Sequence, residues 1–351
     1  MSRYVFDGAV ARGLIAVFLD RTGGATIGSC ARGDVMRPFR LILAVTAAGL
    51  AGAVLGVLLG PSTGPVERLI SLCLAGATAL TPTTVASAWS LAPATLLPVL
   101  LLPALFLSAV VARWREGTAP PAWRIVLFGT GWLLLVVAVV SPLCRLAAHL
   151  AWAHMVQHVI LVALAPPLLL LGARSVWAGP EDARAREAGV ASWLGRPAGA
   201  GLAYGAAIWF WHVPGFYEAA LRDGGLHLVM LGTLLGVSLT FWHSLLVAAR
   251  SGAGAALAAA PVLLATLMHT GMLGALLTFS PGLWFPLMAQ GALAFGLSPL
   301  ADQQLAGLIM WVPMGLVYMA AALGLVARGL AATGDADEAC GPASAGTGPL
   351  R

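Results

Sequence analysis

Six of the seven histidines, His149, His154, His158, His212, His227 and His269, lie inside or at the ends of long apolar stretches, in a chain where only 9% of residues are charged. An imidazole is costly to bury at membrane depth unless it binds something, so such residues mark function by default. His154 and His158 are four residues apart, about 40° around a helix, which projects both rings from one face and can chelate an ion. Met268 and Met272 repeat that spacing, and Asp302 and Met310 open the last apolar stretch. Imidazole with thioether, one carboxylate and no paired thiolates suits copper, Cu(I) above all. It does not suit calcium or magnesium, which want oxygen cages, or structural zinc, which favours cysteine. Two histidines on facing helices also make an axial pair for haem, which stands as the alternative cofactor. Each residue alone has a plainer reading. A single membrane histidine can bond a neighbouring carbonyl, methionine is an adaptable packer, and a Gly307, Met310, Met314 stripe can be helix packing alone. Shared depth is what favours a site.

That depth is set by the elements carrying the residues. The chain has 351 residues, 60% of them hydrophobic, with uninterrupted apolar stretches near the roughly 20 residues that cross a bilayer. Backbone groups in lipid must pair within their own segment. Leu/Ala/Gly-rich stretches without strand alternation therefore give an all-α, polytopic transmembrane bundle. Seven core spans are expected at about Pro93–Ala112, Ala122–Val140, Leu150–Leu171, Ala198–Val213, Leu226–Ala248, Ala256–Phe279 and Gln303–Ala327. A further candidate, Pro38–Gly60, precedes them, and Leu69–Leu80 is short enough to be re-entrant. The expected organisation is a leader over 1–37, a transmembrane or re-entrant region over 38–88, a seven-helix domain over 89–328 and a disordered cytoplasmic tail over 329–351.

Arginine supplies the positive charge, since the chain has no lysine. Arg113, Arg115 and Arg124 share one loop, Arg174, Arg184, Arg186 and Arg196 the next on that side, then Arg250 and Arg328, whereas the alternate loops carry only Arg145 and Arg222. The positive-inside bias makes the arginine-rich end cytoplasmic, with the C-terminus inside. The pair His154 and His158 then lies roughly 6 to 12 Å below the outer end of its span at 1.5 Å per residue. His212, His227, His269 and Met272 fall in the same outer half, and His243, near the cytoplasmic end, is the exception and reads as structural.

Cys30, Cys73, Cys144 and Cys340 form no C-x-x-C pair, so the sequence signals neither a thiolate centre nor a disulfide framework. Pro166 and Pro167 are expected to kink the third core helix beneath the histidine pair. Trp152, Trp209, Trp211, Trp242, Trp284 and Trp311, mostly near span ends, read as interfacial anchors. Nothing resembles a nucleophile elbow, a phosphate-cradling glycine loop or a di-iron histidine box, so no enzyme is expected.

Several runs resemble the CtaG family of cytochrome c oxidase assembly proteins, the branch associated with caa-type oxidases. They are Ser141-Pro142-Leu143, His154-Met155-Val156-Gln157-His158, Ala165-Pro166-Pro167 through Gly172, Trp211-His212-Val213-Pro214-Gly215-Phe216-Tyr217, and Asp302-Gln303-Gln304-Leu305-Ala306-Gly307-Leu308-Ile309-Met310-Trp311. The resemblance covers about Trp89 to Arg328. It implies a seven-helix membrane protein needed for oxidase assembly, with a proposed role in copper delivery, and it places His154, His158, His212, Asp302 and Met310 on shared motifs, while His227 and His269 lie between them.

The expected function is therefore a copper-binding assembly factor of a bacterial plasma membrane. Its candidate ligands are His154, His158, His212, His227, His269, Met272 and Met310, with Asp302 at the outer mouth or behind the ligands. Expected partners are oxidase subunits and the lipid bilayer rather than nucleic acid, with room for a copper donor protein on the outer side. The alternatives are a haem-binding membrane electron carrier, a copper or proton transporter, and a scaffold in which the histidines are structural.

Overall fold

The structure is a computed structural model that describes residues 73–74, 80–177 and 193–339. All seven expected core spans are helices: α1 (Pro93–Arg115), α2 (Ala122–Val139), the segment from α4 (Ala151–Val159) through a π turn (Ile160–Leu164) to α5 (Ala165–Trp177), α6 (Pro197–His212), α8 (Gly224–Ala248), α9 (Ala253–Phe279) and α11 (Pro299–Ala339). Among the described residues, six helices are long and apolar enough to cross a membrane. The protein is thus a multi-pass membrane protein with an all-α bundle. The 16-residue α6 is the shortest of the seven and packs on α8 and α9.

Three short helices close one end: α3 (Pro142–Ala147), α7 (Pro214–Arg222) and α10 (Ala289–Ala294). Proline at the first position starts α1, α3, α6, α7 and α11, where a missing N–H costs nothing. Alternation of the spans puts Arg113, Arg115, Arg124, Arg174, Arg196, Arg250 and Arg328 at the opposite end. There the Arg328 side chain donates to the Ala249 carbonyl, and Arg250 Nε to that of Leu246 at 2.8 Å.

The α4 to α5 segment is the centre of the bundle. Its most apolar window is 78% buried, against 17% for α1. Close approach at two glycines seats neighbouring helices. A Cβ on Gly172 would fall 2.5 Å from Phe128 N on α2, and one on Gly307 would fall 2.5 Å from the Gly274 carbonyl of α9. Gly307 is therefore helix packing, as that stripe allowed, whereas its companions Met310 and Met314 turn to the interior.

The proline pair acts through a wider turn. Pro166 has no N–H to give the Val162 carbonyl, and the backbone meets this with the π turn at Ile160–Leu164. Ser238 Oγ (2.5 Å) and Trp242 Nε1 (2.9 Å), both from α8, donate to the freed Val162 oxygen. Trp242 is thus fully buried, and Trp211 nearly so with its Nε1 on Thr233 Oγ1 at 2.9 Å. Neither is an interfacial anchor, because each indole N–H finds its partner inside the protein.

Two expectations change. Cys73 and Cys144 form a disulfide, both fully buried, with Cα atoms 4.8 Å apart. A separation of 71 positions leaves no spacing signal, which is why the cysteine pattern did not show it. The last helix continues through Ala339, so the stretch from Gly329 to Ala339 is helical rather than a disordered tail. Residues 340–351, the leader over 1–37, the Pro38–Gly60 candidate and most of Leu69–Leu80 lie outside the described residues, as do Arg184 and Arg186.

Candidate metal centre

The start of α4 is built from a distance. Leu150 stands at the N-cap position and has no side-chain acceptor to offer. Asp302, one turn into α11, supplies it instead. Its Oδ2 accepts from the Ala151 N–H at 2.8 Å and its Oδ1 from the Trp152 N–H at 3.0 Å. A carboxylate at a helix N-terminus satisfies two orphan donors and opposes the positive end of the helix dipole. Asp302 is 1% exposed, and both of its oxygens are engaged with α4. It is a positioning residue that locks α11 to the histidine helix.

From that fixed start, His154 and His158 project one turn apart with ring centroids 4.2 Å from each other. His227 of α8 stands 6.4 Å from His154, and His212 at the end of α6 stands 5.9 Å from His158. The order His227, His154, His158, His212 is a row of four imidazoles from three helices, all buried. Local bonds set two of the tautomers. His154 Nδ1 meets the Ala147 carbonyl at 3.0 Å, and His212 Nδ1 meets the Ile208 carbonyl at 2.7 Å. A carbonyl only accepts, so each Nδ1 carries the proton and each Nε2 keeps its lone pair, the arrangement that metal-binding histidines use.

Those lone pairs have no partner. The Nε2 atoms of His154, His158 and His212, and both ring nitrogens of His227, are buried without a hydrogen bond. The Ala220 carbonyl bears on the His227 ring without reaching hydrogen-bond geometry. Nearly all buried polar groups in folded proteins are paired, so a row of orphaned imidazole nitrogens calls for a guest. Among the described residues, however, no three His, Cys, Asp or Glu side chains converge closely enough to hold an ion by themselves. Beside His158 and His212 lies a small cavity of about 10 Å³ that Met155, Met310 and Met314 also line. Met310 is thus placed with the histidines.

Two expected ligands are not. The buried stripe of α9 runs through Leu263, Thr266, Thr270, Leu273 and Leu277, and Met272 lies off it, 53% exposed on the open groove with Phe279 and Trp284. Met268 is likewise exposed at 68%. His269 is half-buried, its ring against the backbone of Gly205, and makes no ring contact with the row among the described residues. Met272 thus faces outward from α9, whereas His269 faces α6 at Gly205, where its Nδ1 is buried without a hydrogen-bond partner. His149 bonds locally, Nδ1 to the Arg145 carbonyl at 2.8 Å, and stands outside the row.

Several neighbours escaped the sequence reading. Tyr217 on α7 packs edge-on to His154 at 4.8 Å, and its hydroxyl donates to Met288 Sδ at 3.2 Å. Glu218 beside it takes the Leu287 N–H and Arg222, at 3.2 and 2.8 Å, which ties α7 to the loop before α10. Together they roof the row. Gln157, between the two histidines of α4, donates to the Ala138 carbonyl at 2.7 Å and to Cys73 Sγ at 3.4 Å. Its place in the histidine run was the available signal, since a buried amide needs partners.

The sequence profile of the cytochrome c oxidase caa3 assembly factors (Caa3_CtaG) matches residues 104–331, well over half the chain. The chain belongs to that family. The match takes in His154, His158, His212, His227, Asp302 and Met310, and it begins inside α1 rather than at Trp89. Cys73 lies outside it and Cys144 inside. At a significant level, no curated protein and no solved structure matches the chain.

Proposed function

We propose that this member of the caa3 assembly factor family binds copper in its imidazole row and delivers it to the oxidase. The observation that carries the reading is the row itself: buried, unpartnered Nε2 atoms on His154, His158 and His212, with the tautomers of His154 and His212 set by backbone carbonyls. Copper is cargo here, to be held and released by ligand exchange with no bond-making chemistry. Neutral imidazole supplemented by thioether fits that ion better than the alternatives. A haem reading fits less well, because a gap of about 10 Å³ beside His158 and His212 offers no slot for a macrocycle.

The arginines at the far end of the bundle support an orientation with that end, and the C-terminus, in the cytoplasm of a bacterial plasma membrane. The row then lies beneath the outer face under the roof of α7, and an acceptor subunit of the oxidase or a copper donor would reach it past that helix.

The test is oxidase loading. In cells lacking their own copy, wild type and the His154→Ala/His158→Ala variant are produced at equal membrane levels under limiting copper, and copper per purified oxidase is measured. The variant is expected to leave the oxidase copper-deficient. An unchanged copper content with the variant would leave a scaffold role only.

A further inference from the structure

The four imidazoles do not have the same surroundings. His154 packs against the ring of Tyr217, and His227 beside it stands against the Ala220 backbone of α7. His158 and His212 face instead a cavity whose other polar-capable atoms are the sulfurs of Met155, Met310 and Met314. Met310 and Met314 are four apart on α11 and 4% and 2% exposed, so both thioethers project inward from one face, one turn apart. The remaining lining, Val159, Val162, Ile208 and Leu234, is aliphatic. Both histidines bring an unpartnered, buried Nε2.

We propose that this cavity is a distinct thioether-imidazole site selective for Cu(I), formed by His158, His212, Met310 and Met314 with Met155 behind them, and lying one helical turn deeper than the His154/His227 pair. The inference rests on the copper reading above and adds to it a thioether donor set and a second position. Nitrogen and oxygen donors alone do not close a set, since no three His, Cys, Asp or Glu side chains converge among the described residues. Sulfur completes it. Thioethers are neutral, soft ligands that favour Cu(I) over Cu(II) and Zn(II). A cavity this small and apolar also excludes ions that keep water ligands, and a single positive charge is the cheaper one to desolvate. The two positions give the cargo a path by ligand exchange, from the outer imidazole pair to the deeper mixed site, with His158 shared between them as the neighbour of both His154 and His212.

The test compares full-length wild type with Met310→Leu/Met314→Leu, a change that keeps volume and apolar character. Cu(I) and Zn(II) affinities are measured separately by competition, and the copper X-ray absorption spectrum is recorded on selenomethionine-labelled protein. We expect the double variant to lose Cu(I) affinity by about tenfold or more, the scale on which single metal-site contacts act, while Zn(II) affinity changes far less and the selenium scatterer seen in wild type disappears. Wild-type copper surrounded by nitrogen alone, or a double variant with unchanged Cu(I) affinity, would overturn the thioether site and leave an all-imidazole copper protein. Wild type that binds no Cu(I) at all would overturn this site and the copper reading together.

Discussion

The first helix and the histidine helix have similar mean hydropathy, 2.4 and 2.0, yet 17% of the apolar window of one and 78% of that of the other lies inside the protein. Apolar character makes a span without assigning it a neighbour, because lipid tails and leucine side chains are equally good company. What draws α4 and α5 inward is their polar content. His154, Gln157 and His158 each need a partner that lipid cannot give, and the carbonyl freed by Pro166 needs a donor. The same device appears at smaller scale on α1. Pro103 frees the Val99 carbonyl, and Trp132 Nε1 from α2 occupies it at 2.8 Å. One helix is held by a single such bond and the other by a network.

The contrast can be broken at its strongest point by truncating matched leucines. Leu161, 1% exposed on the π turn, should lose about 2–5 kcal/mol of stability on Leu161→Ala, the cost of a core cavity. Leu97, 69% exposed on α1, should lose less than about 0.5 kcal/mol on Leu97→Ala. Thermal unfolding in the same detergent compares them, and equal losses would mean that α1 is not a lipid-facing helix. A smaller difference is expected for the freed carbonyls. Ser238→Ala with Trp242→Phe leaves the buried Val162 oxygen unpaired, at a cost of about 1–3 kcal/mol. Trp132→Phe, at a half-buried position, should cost about 1 kcal/mol or less.

The capping carboxylate gives a smaller effect on stability than Leu161 or the Val162 carbonyl, and a sharper one on the site. Asp302→Ala removes both acceptors from the start of α4 and should cost about 0.5–2 kcal/mol. Because it frees the histidine helix at the end nearest His154, Cu(I) affinity should fall with it, whereas Asp302→Asn, which keeps one acceptor, should recover part of both. A ligand would behave otherwise: Asp302→Asn would then lose the metal without losing stability.

The seven spans were legible because length and apolarity act locally along the chain, and the His154/His158 pair because its spacing lies within one helix. The direction a helical side chain faces was not. Met272 and Met310 looked alike in depth and type, and only the packing of α9 against α11 turned one to the groove and the other to the cavity. Long-range pairs were equally hidden. Asp302 meets its partners 151 and 150 residues away, and Cys73 meets Cys144 across 71. The short helices α3, α7 and α10 were missed because 6 to 9 residues show too little periodicity. Tyr217, which α7 brings over His154, was missed with them.

The most direct test of the account is a Cu(I) competition titration of the purified protein, wild type beside His154→Ala, His158→Ala and His269→Ala. The account predicts that His158→Ala, which removes the imidazole shared by both positions, abolishes tight binding, that His154→Ala weakens it, and that His269→Ala leaves it intact. Tight binding that survives the loss of both α4 imidazoles, or that depends on His269 instead, would contradict it.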